Sequence, residues 1–325
     1  SDTLDNVPQA DGYFTGASFT LFRESQNEMR KLESGSITGY EAGQVSGTRV
    51  VEPSTAIPEG VKWNAFAELN EVAVACGTEG YILRMPRDGV PECRNIGFRV
   101  DLVAIAAGAS GFLAGDSTGR FYTSSDGIVW QLMPVHATAA IRTIEYIALP
   151  DFENGFFLAS GAAGEVFFGH LTGLEPLSGI TDNTITRFVT TDDGVVFALG
   201  LEGQVISSAN GVNWESEESL TSSVGWLGGD AAGGIAFFVG TGGKMAIRHD
   251  KGSVTKIDSN NLAGALTGRF HETGSTGRWP DLTDVVVLAT NRIVIRTEKG
   301  TLLYTEDQGE TWEQEGPFFG EPTSN

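Results

Sequence analysis

Apolar residues along the chain fall in short runs, without the i, i+3, i+4 recurrence of a long amphipathic helix. The segments VAVACGTEGYILRM, GFLAGDSTGRFYTSS, FFLASGAAGEVFFG, VVFALGLEGQVISS, IAFFVGTGGKMAIR and RIVIRTEKGTLLYTE share one plan. Each is an apolar run, a turn containing Gly, and a second, alternating run, which is the pattern of two strands joined by a hairpin. The turn glycines Gly80, Gly119, Gly164, Gly203, Gly243 and Gly300 are spaced by 39, 45, 39, 40 and 57 residues. A β-rich stretch precedes each hairpin (DLVAIAAGAS, TIEYIALPD, TRFVTTDD, DVVVLAT), and a shorter one follows it (VWQLMPV, NWESEES, TWEQEG). The best helical patch, Glu24 to Leu32, reads as strand and turn.

Four strands per unit at a period near forty is the repeat of a propeller blade; a sandwich has no such period, and a parallel β-helix wants coils of about twenty to thirty residues. The N-terminal GYFTGASFTLFRESQNEMRKLES matches the last three strands of the unit. The expected fold is therefore all-β, a seven-bladed β-propeller of four-stranded antiparallel blades, with six blades as the alternative. Residues 1–325 form one domain. In it 1–34 is an incomplete first blade, 35–60 and 260–284 are inter-blade insertions, and 310–325 is a C-terminal closure. The missing strand of the first blade comes from Asp2 to Gln9 or from GPFFGE after Gly316.

One turn carries a recognisable signature. TEDQGETW, Thr305 to Trp312, resembles the Asp box, the Ser/Thr-x-Asp-x-Gly-x-Thr-Trp turn of bacterial neuraminidase repeats. SSDGIVW (Ser124 to Trp130) and SSANGVNW (Ser207 to Trp214) resemble it in part: Gly127 stays with Trp130 and Gly211 with Trp214, while the carboxylate is shifted one place, to Asp126, or replaced by Asn210. The sixth unit keeps only Asp250 and Gly252. The three tryptophans are 84 and 98 residues apart, two units each, which agrees with the period. The resemblance implies a structural role for Asp126, Gly127, Trp130, Asn210, Gly211, Trp214, Thr305, Asp307, Gly309 and Trp312. The carboxylate or amide holds the turn, the Gly takes a positive φ, and the Trp packs between blades. One carboxylate per turn is too few for Ca²⁺, which takes six or more oxygens.

Composition then narrows the chemistry. With 42 Asp+Glu against 21 Lys+Arg, the net charge of −21 argues against nucleic-acid binding. No run reaches the roughly 18 apolar residues of a membrane span, and the N-terminal SDTLDNVPQADG reads as no export signal. Cys76 and Cys93, placed on the second and fourth strands of one sheet, stand about 9.6 Å apart and are expected to be free thiols. His136, His170, His249 and His271 are scattered, and no metal or cofactor is expected. There is no Gly-x-Ser-x-Gly elbow or P-loop, and GTGGK at 240–244 joins two strands. The resemblance makes sialidase-like hydrolysis the enzymatic alternative. It requires three arginines, a Tyr with a Glu, and an acidic Asp on the face opposite the Asp boxes. Here the nearest Arg motif, LRMP, puts Arg84 on a third strand, and Tyr304 lies on another beside an Asp-box turn. No catalytic residue is assigned.

Both insertions are expected on the face opposite the Asp-box turns, and long loops usually carry function. Arg269, His271, Arg278 and Trp279 in the second, with Tyr40 and Arg49 in the first, are the candidate binding residues. The competing reading has Trp279 packing back on the blades. The expected function is non-enzymatic: a structural or recognition component of a large assembly, a bacteriophage tail or tail-fibre protein made in the host cytoplasm and found in the virion. Its partners are other structural proteins or surface glycan. The alternative is a secreted or periplasmic glycan-binding protein or glycosidase whose signal peptide has been removed. A photosystem II assembly factor, a propeller with turns similar to SSDGIVW, ranks last because that family works through an arginine-rich patch that is not visible here.

Overall fold

The structure is a computed structural model that describes residues 58–149, 152, 154–223, 225–249, 252–266 and 279–314, together with the backbone of two strands, Phe19–Ser25 and Glu28–Glu33. Those two strands pair as a two-stranded sheet. The rest forms six four-stranded antiparallel sheets, each a meander in sequence order. The first comprises Trp63–Leu69, Val72–Gly77, Tyr81–Pro86 and Glu92–Asn95. The others begin at Leu102, Thr143, Ile185, Trp226 and Leu282. No α-helix occurs among the described residues; only short 3-10 turns do. No helix there is long and apolar enough to cross a membrane. The ring-closing segments expected at Asp2 to Gln9 and after Gly316 lie outside the described residues, as does most of insertion 35–60.

The chain divides into two compact units, and among the four-stranded sheets the boundary falls at Ile185/Thr186. The first unit holds the first three four-stranded sheets and the second holds the last three. Within each, neighbouring sheets share an apolar layer. Val74, Cys76 and Ile82 of the first sheet pack with Leu102, Phe112 and Tyr122 of the second. Phe237 and Met245 of the fifth pack with Val285, Ile295 and Trp312 of the sixth. Second strands such as Phe156–Ser160, Val196–Gly200 and Ile235–Gly240 are buried at every position. A strand covered on both faces cannot alternate, so it appears in the sequence as an unbroken apolar run. Each Phe so buried contributes about 1.5–3 kcal/mol.

The turn glycines have a steric reason as well as a conformational one. Gly80 has φ +78°, and a Cβ there would stand 2.0 Å from the Phe98 carbonyl oxygen; at Gly164, with φ +77°, it would meet the Thr181 carbonyl at 2.0 Å. In both cases the chain leaving the fourth strand crosses directly over the hairpin. An alanine would need both the left-handed backbone and a displaced main chain.

First strands carry a bulge near their start in four sheets, between Trp63/Ala65, Leu102/Ala104, Trp226/Gly228 and Leu282/Asp284. A bulge re-aims the extra residue. At the first of these, Asn64 donates Nδ2 to the Leu102 carbonyl at 2.7 Å, linking one first strand to the next. In the second unit Thr186 does the same with Oγ1 to the Trp226 carbonyl at 2.8 Å.

Cys76 and Cys93 occupy the second and fourth strands of the first sheet as expected, and both are free and buried. Burial pushes each thiol up to about 12, so neither is a thiolate near neutral pH.

Candidate functional site

The three tryptophan-bearing turns join third to fourth strands and share one hydrogen-bond scheme. In the second sheet, Gly127 N–H donates to Ser124 Oγ at 2.9 Å, while Ile128 and Val129 N–H donate to Asp126 Oδ1 at 2.8 and 3.2 Å. In the fourth sheet, Gly211 N–H reaches Ser208 Oγ at 2.8 Å, and Val212 and Asn213 N–H reach Asn210 Oδ1 at 3.0 and 2.9 Å. In the sixth, Gly309 N–H reaches Thr305 Oγ1 at 3.0 Å, and Thr311 donates its N–H to Asp307 Oδ1 at 2.9 Å and its Oγ1 to Oδ2 at 2.5 Å. Counted from the hydroxyl residue, Asp126, Asn210 and Asp307 all stand two places on. The carboxylate has therefore not moved, contrary to the expectation. The Gly comes one residue earlier in the shorter turns, and the longer one accommodates Gln308 at φ +62°.

These bonds account for the charge state of the turns. Burial pushes Asp126 up, but the N–H groups of Ile128 and Val129, the Ser124 hydroxyl and the Arg84 charge outweigh it and hold the carboxyl below its ordinary value. Asp307 is likewise raised by burial and, on balance, lowered by Thr305, Thr311 and Glu310.

Each turn is also fastened to its surroundings. Arg84 Nε on the third strand of the first sheet donates to the Asp126 carbonyl at 3.0 Å, and a Cβ on Gly127 would lie 2.7 Å from Val74 Cγ2 of that sheet. Trp130 packs in the layer between the first and second sheets, 6.4 Å from the Phe112 ring centre. Trp312 packs between the fifth and sixth, 6.1 Å from Phe237, and Trp214 lies 6.2 Å from Phe188. Trp130 and Trp214 donate Nε1 to the carbonyls of Gly127 and Gly211 at 3.3 and 3.1 Å. In the sixth sheet Asn261 Nδ2 occupies the Gly309 carbonyl at 2.9 Å instead, and the buried Trp312 Nε1 has no hydrogen-bond partner among the described residues.

That Asn261 contact corrects the expectation that the 260–284 insertion lies wholly on the face opposite these turns. Its start, the 3-10 turn Ser259–Ala263, buries Leu262 in the layer between the fifth and sixth sheets, beside Trp312. Trp279 packs on the same layer, and its Cβ stands 2.7 Å from where a Cβ of Gly243 would be. It is partly buried in that contact. Arg269, His271, Arg278, Tyr40, Arg49 and Asp250 lie outside the described residues. No group of three or more His, Cys, Asp or Glu suited to a metal occurs among those described.

Arg84 and Tyr304 fall on third strands as expected. Arg84 is engaged with Asp126, and the Tyr304 hydroxyl donates to the Glu313 carboxylate on the adjoining strand.

The second unit assembles a polar cluster that sequence reasoning missed. Arg187, third on the first strand Ile185–Thr190, donates Nη2 to Asp284 Oδ1 at 2.7 Å. Asp284 holds the same place on Leu282–Val287, and its side chain is only 5% exposed, against 28% for Arg187. Arg296 is its cross-strand partner. Burial lowers Arg296 below the usual guanidinium value, with Asp284 opposing and Arg187 adding to the shift. Arg187 is thus hydrogen-bonded to this carboxylate, and Arg296 feels its charge from the adjoining strand. A guanidinium and a carboxylate in equivalent places of two apolar first strands were the available signal.

No protein-family model matches the sequence, and no curated protein matches it. Solved structures are similar to it in fold. One described as YCF48 bound to D1 peptide has a TM-score of 0.56 at 13% identity, covering 77% of this chain and 80% of that one. The computationally designed Ika8 protein gives 0.59 at 11%, covering 94% and 88%. The WD40 β-propeller domain of Doa1 gives 0.51 at 13%, covering 77% and 81%. The chain is thus an all-β propeller of four-stranded antiparallel blades, with six blades described in full.

Proposed function

We propose that the protein is a non-catalytic recognition propeller that binds a peptide or protein partner. The observation that carries this reading is the propeller fold of four-stranded blades. The Asp and Asn side chains of the three turns already accept hydrogen bonds from their own turns, which supports a scaffolding role for them. A propeller of similar fold is described as bound to a peptide. Within this reading the turns are Asp boxes, and the protein is a component of a large assembly. A bacteriophage virion, built from proteins made in the host cytoplasm, is the setting proposed.

Two experiments test it. The protein should co-sediment with intact particles at a fixed copy number by mass spectrometry. An immobilised library of short peptides should retain it; retention no greater than that of an unrelated protein of similar net charge overturns the recognition reading. A second reading, sialidase-like hydrolysis, needs a Tyr and a Glu on the face opposite these turns, whereas Tyr304 and Glu313 pair beside one of them. Release of product from a fluorogenic sialoside, abolished by Tyr304→Phe, would replace the recognition reading with it.

A further inference from the structure

We propose that Asn154 is a site of spontaneous modification, where the side-chain amide is lost through a cyclic imide and aspartate or isoaspartate takes its place. The sequence contains the dipeptide Asn-Gly twice, as Asn154–Gly155 and Asn210–Gly211. In each, the glycine has no side chain to screen its own nitrogen from the amide that precedes it. The fold treats the two copies differently, and the difference singles out Asn154.

Asn154 is exposed, in the connection between the first two strands of the third sheet, Thr143–Ile147 and Phe156–Ser160. Among the described residues it is fastened through its main chain: the carbonyl accepts the Tyr146 hydroxyl at 2.6 Å. The Gly155 N–H reaches the Phe152 carbonyl at 3.2 Å, the long end of such bonds. The side-chain amide can therefore turn toward the Gly155 nitrogen while the strands on either side stay in place.

Asn210 is locked instead. Its Oδ1 accepts the N–H groups of Val212 and Asn213 at 3.0 and 2.9 Å and the Ser208 hydroxyl at 3.2 Å. The nitrogen that would attack it, that of Gly211, is buried and donates to Ser208 Oγ at 2.8 Å. Ring closure there requires the turn to open first.

In the reaction the Gly155 nitrogen attacks Cγ of Asn154, and the bond from Cγ to the amide nitrogen breaks. Ammonia leaves with the bonding pair and the proton lost from the Gly155 nitrogen, which closes the imide. Water then adds its hydroxyl to an imide carbonyl and its proton to the released nitrogen. Addition at Cγ gives aspartate, and addition at the main-chain carbonyl gives isoaspartate. The isoaspartate chain is longer where space is short, since a Cβ on Gly155 would already stand 2.5 Å from the Tyr146 hydroxyl oxygen.

The full chain is aged at mildly alkaline pH, folded in buffer and unfolded in urea, and amide loss at each site is followed by peptide mass spectrometry. In urea both sites should react at comparable rates. In the folded chain Asn154 should react about tenfold faster than Asn210, whose hydrogen bonds must open together before its ring can close. Asn154→Gln, a change at an exposed side chain that closes the larger ring reluctantly, should abolish both the ammonia release and the isoaspartate signal of the folded protein. Loss at folded Asn154 no faster than at Asn210, or release that persists in Asn154→Gln, overturns the proposal.

Discussion

Arg187 and Asp284 belong to the first strands of the fourth and sixth sheets, separated in sequence by the whole of the fifth, and they meet at 2.7 Å. At the third place of the fifth sheet's first strand stands Gly228, where a Cβ would lie 3.0 Å from the Asp284 Cα. Gly228→Val should therefore press on the strand that carries Asp284 and cost about 1–3 kcal/mol, the usual penalty of overpacking. Arg187→Ala should cost a similar amount by leaving a buried carboxylate with less compensation. Urea unfolding of both single variants and the double variant checks this. A sub-additive double mutant is expected because both changes act on Asp284.

Asn210 performs in one turn what Asp126 performs in another, so Asp126→Asn should be nearly neutral at pH 7. Asp126→Ala removes the acceptor for two backbone N–H groups and should cost about 1 kcal/mol. The two variants also separate the pH dependence. A carboxyl held below its unfolded value stabilises the fold above the unfolded pKa of about 3.9 and loses that contribution as pH falls through the folded value. Asp126→Asn should thus lose less stability than the parent between pH 5 and pH 3, as read by denaturation midpoints.

Asn261 holds the Gly309 carbonyl that the indole takes in the other two turns. Asn261→Ala should cost about 0.5–1.5 kcal/mol and release that carbonyl to Trp312. The Trp312 indole N–H resonance should move toward those of Trp130 and Trp214 in a proton–nitrogen correlation spectrum. An unmoved resonance would show that the two groups are not in competition.

Lys244 gives a pH dependence of the same sign in the alkaline range. Its value is lowered to about 8, so between that pH and the ordinary lysine value of about 10.4 the unfolded chain binds the proton and the folded one does not. Stability from this group accordingly rises with pH through that window. Lys244→Met, which has nothing to titrate, should lack this rise; thermal midpoints from pH 7 to 10 make the comparison.

The blade repeat was legible because its causes are local. Doubly covered strands such as Val196–Gly200 read as apolar runs, and the turn at Gly80 must have glycine under the crossing chain. The Cys76 and Cys93 strand assignments followed from the same pattern. The candidate site was not legible in this way. Arg187 and Asp284 are 97 residues apart and are joined only by how three sheets pack. Trp279 in a Gly-rich loop looks the same whether it faces a partner or the space left by Gly243. Asn261 gives no local sign that it will reach Gly309. Periodicity reports what a strand does to its own sheet, whereas these contacts depend on its neighbours.

One of the fourth strands, Glu215–Ser216, is only two residues long. A blade ending so abruptly offers a foreign chain few open amides on which to grow a fifth strand, and the stub carries a glutamate that repels a copy of itself. In a protein built almost wholly of β-structure, this economy at the rim guards against templated aggregation while the buried layers remain free to be as apolar as packing requires.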